Sequence, residues 1–179
     1  KFAQKNPHKM MKPWPESGSK SRVTHMSGKD FFESETSTTV DAPTEVRIEF
    51  TDSSGATRVL KEGLKLLAGE VIDTAVMNVA ALRAFYAEQI EEAKRDGVLL
   101  SLHLKATMMK ISDPIMFGHC VSVYYAEALE KHARDLEEIG ADVNNGLADI
   151  LARLDRLSEE KKAEILADIE AKKQTYTFE

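Results

Sequence analysis

Val98-Leu99-Leu100-Ser101-Leu102-His103-Leu104-Lys105 opens the stretch that decides the fold, and Ala106-Thr107-Met108-Met109-Lys110-Ile111-Ser112-Asp113-Pro114-Ile115-Met116-Phe117-Gly118-His119 completes it. Val98, Leu100, Leu102 and Leu104 alternate with Leu99, Ser101, His103 and Lys105. A period of two is that of a β-strand, whose successive side chains leave opposite faces. One face is wholly apolar; the other is largely polar and ends on Lys105. Asp113 then supplies a helix N-cap and Pro114 a first helical residue, where a missing N–H costs nothing. The pattern predicts strand, short loop, helix. In open α/β sheets, ligands collect at the C-terminal ends of the strands. An ammonium placed there points to an anionic ligand. His103 shares the face of Lys105, His119 lies in the first turns of the following helix, and Lys110 adds charge in the loop. The plainer alternative is that Lys105 and Lys110 are ordinary solvated lysines.

Upstream, Val76, Val79, Leu82, Phe85, Tyr86, Ile90 and Ala93 recur at three- and four-residue spacing and predict a helix over 75–95, stopped by Gly97. Helix, glycine and apolar strand make an α/β unit. Downstream, Phe117, Val121, Tyr124, Tyr125, Ala128, His132, Leu136 and Ile139 predict one helix over 114–139. On its outer face, Glu127–Lys131 and Glu130–Arg134 are favourable i,i+4 pairs. Gly118 inside it costs about 1 kcal/mol relative to alanine, so it marks a close approach or loosened first turns. A loop over 140–146 leads to a short amphipathic helix carrying Leu147, Ile150, Leu151, Leu154 and Leu157. Ser158 caps a last helix, with Glu159 and Glu160 in its first turn and Ile165, Leu166 and Ile169 facing inward.

The first third is rich in hairpin signals. Short strands are expected over 21–26 and 36–40, with Asp30-Phe31-Phe32 between them as a loop carrying an aromatic anchor. Val46, Ile48 and Phe50 alternate with Arg47 and Glu49, and Asp52-Ser53-Ser54-Gly55 turns the chain into a partner strand over 56–60. An extended connection over 63–73 then leads to the first long helix. Residues 1–20, with Pro7, Pro13 and Pro15, read as an extended arm anchored by Trp14. Residues 21–171 read as a single α/β domain with a mixed sheet and covering helices, and 172–179 as a tail or, over Tyr176-Thr177-Phe178, a short terminal strand.

The 179 residues are 42% hydrophobic, enough for a sizeable core, and carry a net charge of −6, which argues against a general nucleic-acid binder. No apolar run approaches the ~20 residues that cross a bilayer, so no membrane partner is expected. No apolar leader follows the first residues. The single cysteine, Cys120, falls in an apolar helical pattern and reads as a core residue; one cysteine fits a reducing cytoplasm. Five histidines, His8, His25, His103, His119 and His132, show no metal-ligand spacing, so no zinc site and no metal ligands are expected. Neither a glycine-rich phosphate loop nor a GxSxG elbow is present, and cofactor-binding residues are unknown.

The phrase from Leu99 to Lys110 followed by Ser112 to His119 resembles the monomeric type of NADP-dependent isocitrate dehydrogenase. Lys5-Asn6-Pro7-His8-Lys9-Met10, Val23-Thr24-His25-Met26, Glu45-Val46-Arg47-Ile48-Glu49-Phe50, Leu67-Ala68-Gly69-Glu70-Val71-Ile72-Asp73 and Asn144-Asn145-Gly146 agree with it. The resemblance covers roughly residues 5 to 170, and the tail after Ile169 departs from it. It implies a lobe of the isocitrate/isopropylmalate dehydrogenase kind, and oxidative decarboxylation of isocitrate to 2-oxoglutarate with NADP and Mg or Mn. Lys105 matches the family's catalytic lysine, which moves a proton at the substrate hydroxyl and binds substrate carboxylates. His103, His119 and Lys110 are weaker substrate-binding candidates. The family's metal-binding aspartates, catalytic tyrosine and NADP domain find no match in this chain. The chain is therefore expected to be an excised or truncated lobe, inactive alone and binding neither NADP nor metal by itself. Its expected partners are isocitrate and the remainder of the enzyme, or a second copy. The alternative is a non-catalytic module that binds a polycarboxylate or a protein.

Overall fold

The structure is a computed structural model that describes residues 1–6, 18–105 and 107–173. His8, the expected anchor Trp14 and the expected terminal strand over 176–178 lie outside these residues. The chain divides into two compact units, one formed by Met26–Leu82 and the other by Lys1–His25 with Arg83 onward. Elements of both kinds are present, as the patterning predicts; among the described residues the strands lie in the Met26–Leu82 unit and pair antiparallel.

In the Met26–Leu82 unit, β2 (Thr44–Thr51) and β3 (Thr57–Leu66) form the predicted hairpin, longer than expected on its return strand. Asp52 organises the turn. Its Oδ1 accepts from the Ser54 amide at 2.8 Å, the Ser54 hydroxyl at 2.6 Å and the Ala56 amide at 3.1 Å. Those hydrogen bonds, the Ser54 hydroxyl first, hold the Asp52 carboxyl below the usual carboxylate range. β1 (Thr36–Thr39) pairs antiparallel with β4 (Val71–Thr74). The extended connection expected over 63–73 is therefore replaced by the end of β3, a turn, and β4. The cause is non-local: Leu66 pairs with Thr44, and Val71 with Thr39.

The aromatic loop at 30–32 is also corrected. Asp30 accepts from the Glu33 amide at 2.9 Å and caps a one-turn helix, α2 (Phe31–Ser34). Phe32 is 90% exposed and anchors nothing. The tie is made instead by Ser34, whose hydroxyl bonds the backbone of Val76 at 2.7 and 2.8 Å.

The long helix α3 (Val79–Asp96) starts later than predicted. Asn78 Oδ1 accepts from the Ala81 amide at 2.9 Å, satisfying an N-terminal N–H that a helix starting at Ala75 would have placed elsewhere. The expected strand over 21–26 is not formed. Arg22 instead pairs with Glu92 at 2.8 Å and Asp96 at 2.7 Å on α3, and Lys20 donates to the Asp96 carbonyl at 2.9 Å. Those cations sit at the helix C-terminus, where the dipole favours them. A one-turn helix, α1 (Phe2–Lys5), begins the chain.

The second unit is built on helices. The helix expected over 114–139 runs as α4 (Ser112–Tyr124), α5 (Ala126–Lys131) and α6 (Ala133–Glu138), with joints at Tyr125 and His132. The joints keep i→i−4 bonds, Tyr125 N–H to Val121 O at 2.9 Å and His132 N–H to Ala128 O at 3.1 Å, so the apolar stripe continues through them. A 3-10 turn (Val143–Asn145) leads to α7 (Leu147–Arg153), a second 3-10 turn (Leu154–Arg156) and α8 (Glu159–Lys173). Ser158 Oγ accepts from the Lys161 amide at 3.4 Å, in the predicted capping position. Val121, Tyr124, Tyr125, Ala128, Leu136, Ile139, Ile150, Leu154, Ile165 and Ile169 make one buried cluster. Leu166, expected inside, is 37% exposed.

The predicted outer-face pairs do not form. Lys131 reaches α8 instead, with Glu164 at 3.0 Å and Asp168 at 2.8 Å, and no ion pair joins Glu130 to Arg134 among the described residues. Two carboxylates one turn apart on a packed neighbour outcompete one on the same helix. Among the described residues, no helix is long and apolar enough to cross a membrane.

Candidate functional site

The predicted strand over 98–105 is extended but joins no ladder among the described residues. Its period-two reading survives in the burial. Val98, Leu100, Leu102 and Leu104 are half-buried, while Leu99, Ser101, His103 and Lys105 are exposed. Alternation is a property of the side chains and is local; a ladder needs a second strand paired to the segment.

The polar face carries Ser101, His103 and Lys105. Ser101 Oγ and His103 Nε2 are hydrogen-bonded at 2.7 Å, which orients the imidazole along the face. The Lys105 side chain is exposed, and its backbone is fixed on both sides. Its amide donates to Asp113 Oδ2 at 2.5 Å, and its carbonyl accepts from the Met108 and Met109 amides at 2.8 and 2.9 Å. Asp113 is only 8% exposed. It is not the N-cap: α4 already begins at Ser112, so Asp113 and Pro114 are its second and third residues. Proline is tolerated throughout that first turn, and the carboxylate is favoured there by the helix dipole. Its oxygens are taken by the Lys105 amide and by the Ser112 hydroxyl at 3.2 Å. Asp113 was readable as a cap but not as the group that pins Lys105, because that bond closes an eight-residue loop.

The remaining candidates separate. Lys110 lies exposed in the loop between Lys105 and α4. His119 is half-buried and faces Arg83 of α3, with Nδ1 at 3.5 Å from the guanidinium. Burial first, and the Arg83 charge second, lower its pKa. A guanidinium only donates, so Nδ1 is the accepting nitrogen. No hydrogen bond joins His119 to Lys105 or His103 among the described residues. Cys120 is buried, and burial pushes its thiol up to about 11. Tyr86 is likewise pushed up to about 12 by burial, and its hydroxyl is buried without a partner among the described residues.

The apolar side of the extended segment lines a cleft of about 400 Å³, where Leu102 and Leu104 meet Asp113, Phe117 and Asn144. Gly118 explains how the 143–145 turn comes so close. A Cβ on Gly118 would stand 3.1 Å from the Asn144 Cα and nearer still to Asn144 Oδ1.

The family model described as monomeric isocitrate dehydrogenase matches residues 1–177. The chain belongs to the monomeric isocitrate dehydrogenase family. It is 53% identical over 170 residues to "Isocitrate dehydrogenase [NADP]" of Azotobacter vinelandii, a match covering 95% of this chain and 23% of that protein. It is 48% identical to "Isocitrate dehydrogenase [NADP] 2" of Colwellia maris, with the same coverage of 95% and 23%, and 42% identical to "Isocitrate dehydrogenase [NADP] 2" of Mycobacterium tuberculosis, covering 94% and 22%. This member of the family thus spans less than a quarter of the length of the curated relatives it matches. The resemblance carried by the 98–119 phrase holds over nearly the whole chain.

Around Lys105 the available donors are a hydroxyl, an imidazole and an ammonium. The carboxylate that holds the Lys105 amide, that of Asp113, is buried and already bonded. That set suits an anionic ligand. It does not suit Mg or Mn, which take carboxylate and other oxygen ligands, and it offers no phosphate-cradling loop for NADP.

Proposed function

We propose that this chain is the substrate-side lobe of an NADP-dependent isocitrate dehydrogenase, with isocitrate as the ligand and Lys105 as the catalytic lysine. The observation that carries the reading is the family match over 95% of the chain, together with an exposed lysine held by a buried carboxylate through its backbone. In this role the Lys105 ammonium attracts the substrate carboxylates. Its neutral amine takes the proton from the substrate hydroxyl as the carbonyl forms, and becomes the ammonium. Ser101 and His103, on the same face, orient the ligand by hydrogen bonds. Oxidation requires a hydride acceptor and decarboxylation a divalent ion. Neither finds its donors around Lys105, so neither step is assigned to these residues. The partner is the remainder of the enzyme, and a lone buried thiol fits a reducing cytoplasm.

The test is an assay of the purified chain with isocitrate, NADP and Mg or Mn. No NADPH is expected. NADPH formation that follows this chain through repurification would overturn the reading of a lobe that depends on the rest of the enzyme.

A further inference from the structure

We propose that His132, Glu164 and Asp168 form a binding site for a divalent transition ion of the zinc class, with Lys131 as the chain's own competing cation. Glu164 and Asp168 are one turn apart on α8, which puts both carboxylates on one face. His132 sits at the α5–α6 joint and meets that face with Nε2 2.6 Å from Asp168 Oδ2. One donor atom from each of the three residues lies within 4.8 Å of the other two. A tetrahedral zinc with bonds of roughly 2.0–2.2 Å holds its donors about 3.4 Å apart. Closure therefore needs only a small opening of the His132–Asp168 contact and a rotation of the half-exposed Glu164 side chain.

A second observation marks the spot as one that takes a cation. Lys131 Nζ lies between the two carboxylates, 2.8 Å from Asp168 Oδ2 and 3.0 Å from Glu164 Oε1. Its side chain is 52% exposed, so it can leave for water. The ion pairs lost are solvent-facing and individually weak. His132 is 5% exposed, so its ring is already positioned and little freedom is lost on binding. A pocket of about 350 Å³, lined by Tyr125, Lys131, Asp168 and Lys172, opens beside Asp168. One imidazole and two carboxylates suit zinc, cobalt, nickel or manganese. Calcium asks for six to eight oxygens and magnesium for an octahedron of oxygens. The site shares no residue with the Lys105 face and stands independently of the proposed function. Sequence spacing could not show it, because His132 and Glu164 come together only through helix packing.

The full chain, stripped of metal, is titrated with Zn²⁺ by calorimetry, with Co²⁺ absorption as the coordination probe and thermal melts alongside. Expected are one saturable equivalent, Co²⁺ bands that Zn²⁺ displaces, a melting temperature that rises with Zn²⁺, and no effect of equimolar Mg²⁺. Glu164→Gln, at a half-exposed side chain, keeps the parent melt and weakens binding by about tenfold or more, as loss of a ligand must at least do. Asp168→Asn abolishes binding, and Lys131→Met tightens it by removing the competitor. Absence of saturable binding overturns the proposal. So does Zn²⁺ binding indifferent to Glu164→Gln, or a Lys131→Met variant that binds no tighter than the parent. If Asp168→Asn fails to fold, the Glu164 and Lys131 variants still decide.

Discussion

Gly118→Ala tests whether the approach of the 143–145 turn to α4 is as tight as the geometry states. Gly118 lies mid-helix, where alanine is better by about 1 kcal/mol on propensity alone. Against that stands the added methyl, 3.1 Å from both the Cα and the Cγ of Asn144 and closer to its Oδ1. Asn144 has little room to retreat. Its amide donates to Asp142 Oδ1 at 2.9 Å, and the turn is closed by Asn145 N–H to Asp142 O and Gly146 N–H to Val143 O, both at 3.0 Å. Overpacking of this kind costs about 1–3 kcal/mol. The net expectation is a loss of about 1 kcal/mol, or roughly 2–4 °C in melting temperature for a chain of this size. Urea denaturation followed by circular dichroism reads it, in a cycle with Asn144→Ala. The two substitutions should couple by at least about 0.5 kcal/mol, with Asn144→Ala relieving the Gly118→Ala defect. A Gly118→Ala protein more stable than its parent, or a cycle with no coupling, would refute the argument.

Acid should unfold the protein partly through its paired carboxylates. Lys131 and then His132 hold Asp168 below the usual range, Arg22 does so for Asp96, and Arg153 for Asp149. A carboxyl depressed in the folded state binds its proton more readily when unfolded. Its stabilisation is therefore complete above the ordinary carboxylate value and is lost as pH falls through the depressed one. Melts should be flat above about pH 5 and fall below about pH 4, less steeply in Asp168→Asn; an unchanged slope in that variant counts against the pairing. Cys120, whose thiol is buried and pushed up to about 11, should resist a thiol reagent at neutral pH until the chain is denatured, and then react once per chain. Rapid labelling of the native protein would contradict its burial.

The elements legible in the sequence are those set by local repetition. The alternation of 98–105 reappears as alternate burial, the stripe from Val121 to Ile139 is the core of the second unit, and Ser158 caps where its chemistry predicts. What was hidden depends on residues distant in the chain. The pairing of Val71 with Thr39 and the turn of Lys131 toward α8 follow from packing, and the segment 98–105 joins no ladder among the described residues. Asn78 is a different case: a good capping residue was present, but the apolar Val76 just before it extended the apparent stripe. Around Lys105, the exposed polar face was readable and the support of its backbone was not. Asp113 carries a cap signature, yet its carboxylate serves the Lys105 amide, and His119 faces Arg83.

The central claim is that Lys105 does chemistry and the fold does not need its side chain. Its exposed side chain makes no ion pair among the described residues, so its removal should leave the melt unchanged. The decisive measurement is turnover at saturating isocitrate and metal for Lys105→Met in an intact enzyme carrying this lobe, with Lys110→Met beside it and thermal melts for both. Loss of a positioned acid–base group costs on the order of a hundred- to ten-thousand-fold in rate. The account predicts that collapse for Lys105→Met at an unchanged melting temperature, and a much smaller effect for Lys110→Met. A Lys105→Met enzyme that keeps most of its turnover, or that melts far below its parent, would contradict it.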